Sequence, residues 1–133
     1  MSWLVKHVLL VLDNSSSVPR YRQIVDAIRD MVLSGRLGPG DPLPSVRGLA
    51  ADLLTSVITT RRAYQELEAA GLIVTKPGIG TFVRELAPGE RRRAGRAEVE
   101  ARLRELVATA RSMGLADEEI LGILKRVLAG GAT

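Results

Sequence analysis

From residue 19 to residue 83 the apolar positions change period once, from helical to extended spacing. Tyr21, Ile24, Val25, Ile28, Met31 and Val32 recur at three- and four-residue intervals, one stripe of an amphipathic helix. Pro19 stands where a helix starts favourably, and Gly35 where it stops. Leu37-Gly-Pro-Gly-Asp41 has the composition of a tight connection. Ser45 is a good N-cap for a second helix that directs Val46, Leu49, Ala50 and Leu53 inward. A third helix begins near Ser56, with Ala63, Tyr64, Leu67 and Ala70 on its inner side and Gly71 as its stop. The period then shortens: Leu72–Thr75 and Thr81–Val83 read as strands, and Pro77-Gly-Ile-Gly80 between them reads as a hairpin loop. Ahead of all this, His7–Leu12 reads as a short strand and Asp13–Ser17 as a turn cluster.

Beyond residue 83 the pattern is different. Residues 84–97 contain Pro, Gly and the basic run Arg91-Arg-Arg93, as a linker would. Val99, Leu103, Leu106, Ala110 and Met113 then keep the three-then-four spacing of a helix packed on a helix. Gly114 breaks the chain, and Asp117-Glu-Glu119 places acid in the next first turn, where the helix dipole favours it. Ile120, Leu121, Ile123, Leu124, Val127 and Leu128 make a band wider than one stripe. In so small a unit that helix needs a second neighbour besides its hairpin partner, most simply another copy of the chain. The fold class expected is mainly α with a small β wing. It comprises a winged helix-turn-helix over residues 1–83, a basic linker over 84–97 and a two-helix dimerisation tail over 98–133.

Composition narrows the function. There is no cysteine and only one histidine, His7, which removes thiol catalysis, zinc-thiolate sites and multi-histidine metal sites. Aromatic residues are 3% of the 133, which disfavours an aromatic-lined ligand pocket. The apolar run Val8–Leu12 is too short to cross a bilayer and is not built as a signal peptide, so a soluble cytoplasmic protein is expected. The formal charge of +4 is unevenly placed: 9 basic against 7 acidic residues in 1–83, 5 against 2 in 84–97, and 5 against 6 in 98–133. The positive part is thus the part that could meet a polyanion. There is no Gly-rich phosphate loop with its lysine and no nucleophile elbow, so no enzyme, cofactor or metal is expected.

The segments Tyr21-Arg-Gln-Ile-Val25, Ser34-Gly-Arg-Leu-Gly-Pro-Gly-Asp41, Leu43-Pro-Ser-Val-Arg47, Leu49-Ala-Ala-Asp52, Arg62-Ala-Tyr-Gln-Glu-Leu-Glu68, Gly71-Leu-Ile73 and Gly78-Ile-Gly-Thr-Phe-Val83 resemble, in register, the GntR family of bacterial repressors. The short two-helix tail, with Ser56-Val-Ile-Thr-Thr60, resembles its YtrA-like subgroup. The resemblance implies a sequence-specific transcription regulator, a repressor on an inverted-repeat operator, dimeric through residues 98–129, with regulated genes beside its own that often encode ABC transporters. It also implies DNA-binding roles for Ser45, Arg47, Ser56, Val57, Thr59, Arg61, Lys76, Gly78 and Gly80.

Each role has a physical basis and a plainer alternative. Arg47, in the first turn of the second helix, can grip guanine O6 and N7 with its guanidinium, or be a solvated surface arginine. Ser56, Val57, Thr59 and Arg61 open the third helix, the part that a helix-turn-helix inserts into the groove. Ser56 and Thr59 can bond phosphate or bases, though Ser56 also suits an N-cap. Val57 or Ile58 can meet a thymine methyl, or be ordinary core. Many relatives have arginine where Val57 stands, so base specificity does not carry over there. Lys76, Gly78 and Gly80 let a wing approach the backbone, but a hairpin needs such glycines in any case. Relatives often have glutamate at Gly48; the glycine gives up a capping box and weakens the helix start by ~1 kcal/mol. Two other classes stay open beside the repressor: a protein–protein adaptor on a winged-helix scaffold, and a non-specific nucleic-acid binder driven by the arginine linker.

Overall fold

The computed structural model describes residues 12–130. It divides into two compact units, residues 1–91 and 92–133, each taken by itself below. The strand expected over His7–Leu12 lies almost wholly outside the described residues.

Among its described residues the first unit is built on three helices: α1 (Arg20–Leu33), α2 (Val46–Leu53) and α3 (Val57–Ala69). Pro19 stands at the N-cap of α1, one residue before the helical stretch. The apolar stripe of α1 is its buried face: Ile24, Val25, Ile28, Met31 and Val32 are all inside, and Tyr21 is half-buried. Leu49 and Ala50 of α2, and Ala63, Tyr64 and Leu67 of α3, close the same core. Val46 and Leu53 are only partly covered, and Ala70, expected inside, is the exposed C-cap of α3. Burial in α3 ends at Leu67, and beyond the helix Gly71 turns the chain away with a φ of +76°. Leu72 N donates to the Leu67 carbonyl at 3.0 Å across that turn, and the chain enters the sheet.

The sheet has three strands, β1 (Pro42–Leu43), β2 (Ile73–Lys76) and β3 (Gly80–Val83), in the order β1-β3-β2, all antiparallel. The β2–β3 hairpin pairs Ile73 with Val83 and Lys76 with Gly80. Pro77 and Gly78 occupy the middle of its turn. Gly78 has a φ of +74°, the sign that the third residue of a Pro-Gly turn requires, and Ile79 N donates to the Lys76 carbonyl at 2.9 Å. β1 is an addition to the expected wing. Its two residues include a proline on an edge strand, and so short a strand leaves no alternation to read.

Residues 84–97, expected as a linker, divide in two. Residues 84–89 are irregular, whereas α4 (Glu90–Ser112) already takes in the basic run as helix. Arg84 is not a loose linker charge: its Nε donates to the Gly71 carbonyl and its Nη2 pairs with Glu90 Oε2 at 2.5 Å. Glu90 Oε1 also accepts from Ala87 N at 2.9 Å, which caps the start of α4.

In the second unit α4 is followed by α5 (Asp117–Leu128), with Gly114 at the break. Neither helix contains a buried residue. Their surfaces are knitted by ion pairs: Arg102 with Glu98 at 3.1 Å, Arg104 with Glu100 at 2.8 Å, and Arg111 with Asp117 at 3.1 Å. Glu119 accepts from Ala116 N at 3.1 Å and so closes the start of α5.

Candidate nucleic-acid interface

α2 and α3 are joined by Leu54, Thr55 and Ser56. Leu54 takes the left-handed conformation, φ +55°, and its amide bonds back to the Ala51 carbonyl at 3.2 Å. That single residue supplies the sharp corner of a helix-turn-helix, at a cost of about 1–2 kcal/mol for a residue with a Cβ.

The N-termini of both helices are capped by serine. Ser45 Oγ accepts from Gly48 N at 3.0 Å, so Arg47 stands in a fixed first turn, exposed. Among the described residues the Arg47 side chain has no hydrogen-bond or ion-pair partner. Ser56 Oγ accepts from Thr59 N at 3.0 Å and donates to Thr59 Oγ1 at 2.8 Å. Capping therefore uses the Ser56 hydroxyl twice over, and the proton left to donate outward is that of Thr59. Val57 is half-buried, while Arg61 is exposed and its side chain has no partner among the described residues.

Arg62, one residue on, is also exposed but has partners within the fold. Its guanidinium lies over the Tyr21 ring, 3.7 Å from the centroid, and its Nε is 3.9 Å from Glu66. Of two adjacent exposed arginines, one is engaged by neighbouring side chains and the other has no partner among the described residues. On the wing, Lys76 is exposed with its Nζ 5.2 Å from the Phe82 ring centroid. Gly78 and Gly80 are exposed beside it, and at Gly78 nothing lies within 4 Å of where a Cβ would stand.

Two side chains of α3 hold the neighbouring elements in register. The Tyr64 hydroxyl donates to the Pro44 carbonyl at 2.7 Å, directly ahead of the Ser45 cap. Burial raises its pKa, so it remains a donor at any pH at which the protein works. One turn later Glu68 Oε1 accepts from Thr75 N at 2.9 Å, which ties the wing strand β2 to α3. The helix that bears Ser56, Thr59 and Arg61 is thus the frame for both Arg47 and Lys76.

Residues 20–83 match the bacterial regulatory proteins of the gntR family. The HTH-type transcriptional repressor YtrA of Bacillus subtilis is 33% identical over 91% of this chain and 93% of its own length. The chain belongs to the GntR family. A GntR family transcriptional regulator from Listeria monocytogenes has the same fold, with a TM-score of 0.71 and 30% identity over 86% of this chain and 98% of that one. YtrA from Sulfolobus acidocaldarius, a GntR-family transcription factor, gives a TM-score of 0.54 and 30% identity over 92% and 98%. This YtrA-like GntR protein is therefore a transcription regulator whose DNA-binding domain is a winged helix-turn-helix.

Within that GntR domain, the residues singled out in sequence fall on α2, the first turns of α3 and the wing. All are exposed except Val57 and Thr59, which are half-buried. Sequence reasoning did not find the Tyr64–Pro44 and Glu68–Thr75 ties, because each joins groups 20 and 7 residues apart. Tyr64 was legible as core; nothing local marks its hydroxyl as a tether. Among the described residues no helix is long and apolar enough to cross a membrane.

Proposed function

We propose that this regulator is a cytoplasmic repressor that binds an inverted-repeat operator as a homodimer. In this reading residues 1–83 read the DNA and residues 98–129 join the two copies. Ser45, Arg47, Ser56, Val57, Thr59, Arg61, Lys76, Gly78 and Gly80 form the contact surface. The observation that carries it is the contrast between Arg61 and Arg62. In a domain that pairs many of its charges, Arg47 and Arg61, on the two helices of the helix-turn-helix, have no partner among the described residues. The capped N-termini of α2 and α3 add positive helix-dipole ends on the same motif, which favours phosphate.

The dimer rests on the second unit. Val99, Leu103, Leu106, Met113, Leu121, Ile123, Leu124, Val127 and Leu128 are all exposed in the single chain, in a unit of about forty residues. Monomeric soluble proteins rarely leave so much contiguous apolar surface uncovered. Two copies of this hairpin, packed together, would bury it and set two identical reading helices about a two-fold axis, which calls for a palindromic site. The name of the Bacillus relative favours repression, and the subgroup resemblance points to a neighbouring ABC transporter operon.

Mobility-shift titrations with the protein's own upstream region, at several salt concentrations, test the reading. A sequence-specific regulator shifts that duplex well below the concentration that shifts a scrambled one. An adaptor shifts neither, and a non-specific binder shifts both alike.

A further inference from the structure

α3 opens with four β-branched residues in a row, Val57-Ile58-Thr59-Thr60. Such a run is a poor way to start a helix, since each branched side chain loses rotamer freedom against the preceding turn. Three of the four have a use within the fold. Thr60 is fully buried and its hydroxyl donates to the Ser56 carbonyl at 3.1 Å. Thr59 receives the Ser56 hydroxyl, and Val57 is half-buried. Ile58 has none. It is 78% exposed and takes no part in the core cluster, although it stands in the first turn of the helix that a helix-turn-helix lays into the major groove.

The major-groove edges of the four base pairs are hydrogen-bond donors and acceptors with one apolar exception, the thymine C5-methyl group. An isoleucine can satisfy none of the polar edges; laid against them it would strip their water without replacing it. We infer that Ile58 is a specificity-determining residue that reads a thymine methyl in each operator half-site. The inference rests on the proposed DNA-reading role of α3 and adds the base at one position. It also distinguishes Ile58 from Val57, whose partial burial leaves less of its surface to offer.

The test uses the full-length protein. Duplexes enriched by it from a randomised pool are resynthesised with uracil replacing each thymine in turn, which removes only the methyl group. At one thymine per half-site, wild type binds the uracil duplex about threefold to fivefold more weakly, the worth of one buried methyl. Ile58→Ala, which keeps a good helix former at an exposed position, binds thymine and uracil duplexes equally there, with the salt dependence of wild type. Ile58→Thr, still β-branched but shorter and polar, behaves like Ile58→Ala. The inference is overturned if uracil is tolerated at every thymine, if Ile58→Ala keeps the wild-type sensitivity, or if the enriched half-sites contain no thymine. Each of these leaves the regulator reading intact. Enrichment of no sequence at all would overturn both.

Discussion

The two units of this chain use similar apolar side chains in opposite ways. In residues 20–83 each helix sinks its apolar stripe into one core, and Ile24, Ile28, Leu49 and Leu67 retain essentially no exposed surface. In α4 and α5 the leucines, isoleucines and valines are as frequent, yet no residue is buried. The difference lies in the number of faces available. Three helices and a sheet can surround a point, whereas a two-helix hairpin has only one inner seam. The lesson is that apolar spacing shows that a helix will pack, not what it packs against. In the first unit the partner is in the same chain; in the second we propose that it is another copy.

The comparison can be broken most decisively in the tail. Replacing Leu121 and Leu124 by aspartate places charge on the exposed face of α5 and should turn a dimer into a monomer by light scattering. The first unit should stay folded by circular dichroism. Operator affinity should then fall on the order of 10²- to 10⁴-fold, the usual worth of a linked second site. An unchanged mass would show that this face is not the joint.

A smaller effect is expected in the opposite direction from the first unit. Leu67→Ala removes a side chain wholly inside the core and should lower the stability of that unit by about 2–5 kcal/mol in denaturant unfolding, without altering association through the tail. Loss of dimer in this variant would mean that the units do not behave separately.

The smallest effect is the most specific. Arg47→Ala deletes an exposed side chain without a partner among the described residues, so the melting temperature should hardly move. Operator binding should weaken by about 1–3 kcal/mol, and the gap between operator and scrambled DNA should narrow. Lys76→Ala should weaken both duplexes alike and reduce the salt slope by about one unit, as loss of a phosphate contact does. Fluorescence anisotropy at several salt concentrations separates the two behaviours.

These differences also mark how far the sequence could be read. The stripes of α1, α2 and α3, the serine caps and the wing hairpin were all legible, because each is written in residues three or four apart or in a Pro-Gly turn. The two-residue strand β1 was not, since its partner is some forty positions away and its proline argues against a strand. The start of α4 is hidden in the sequence for a local reason. Pro88, Gly89 and an arginine run look like linker, but Glu90 caps the helix through Ala87 N and anchors Arg84, neither of which composition reveals. In the candidate interface Arg61 and Arg62 are adjacent in sequence, yet only Arg62 has the Tyr21 ring beneath it and Glu66 beside it, and Arg61 has no partner among the described residues. Whether Ile58 was core or surface stayed open for the same reason: one step along a helix turns a side chain by about 100°.

We propose that two copies of this chain, joined by their tails, read one two-fold symmetric site. Sedimentation of the full-length protein with a duplex bearing the inverted repeat, combined with footprinting at saturation, tests it most directly. Two chains per duplex are expected, with equal protection of both half-sites, about one helical turn or a multiple of it apart. One chain per duplex, or a single asymmetric half-site protected at saturation, would contradict it.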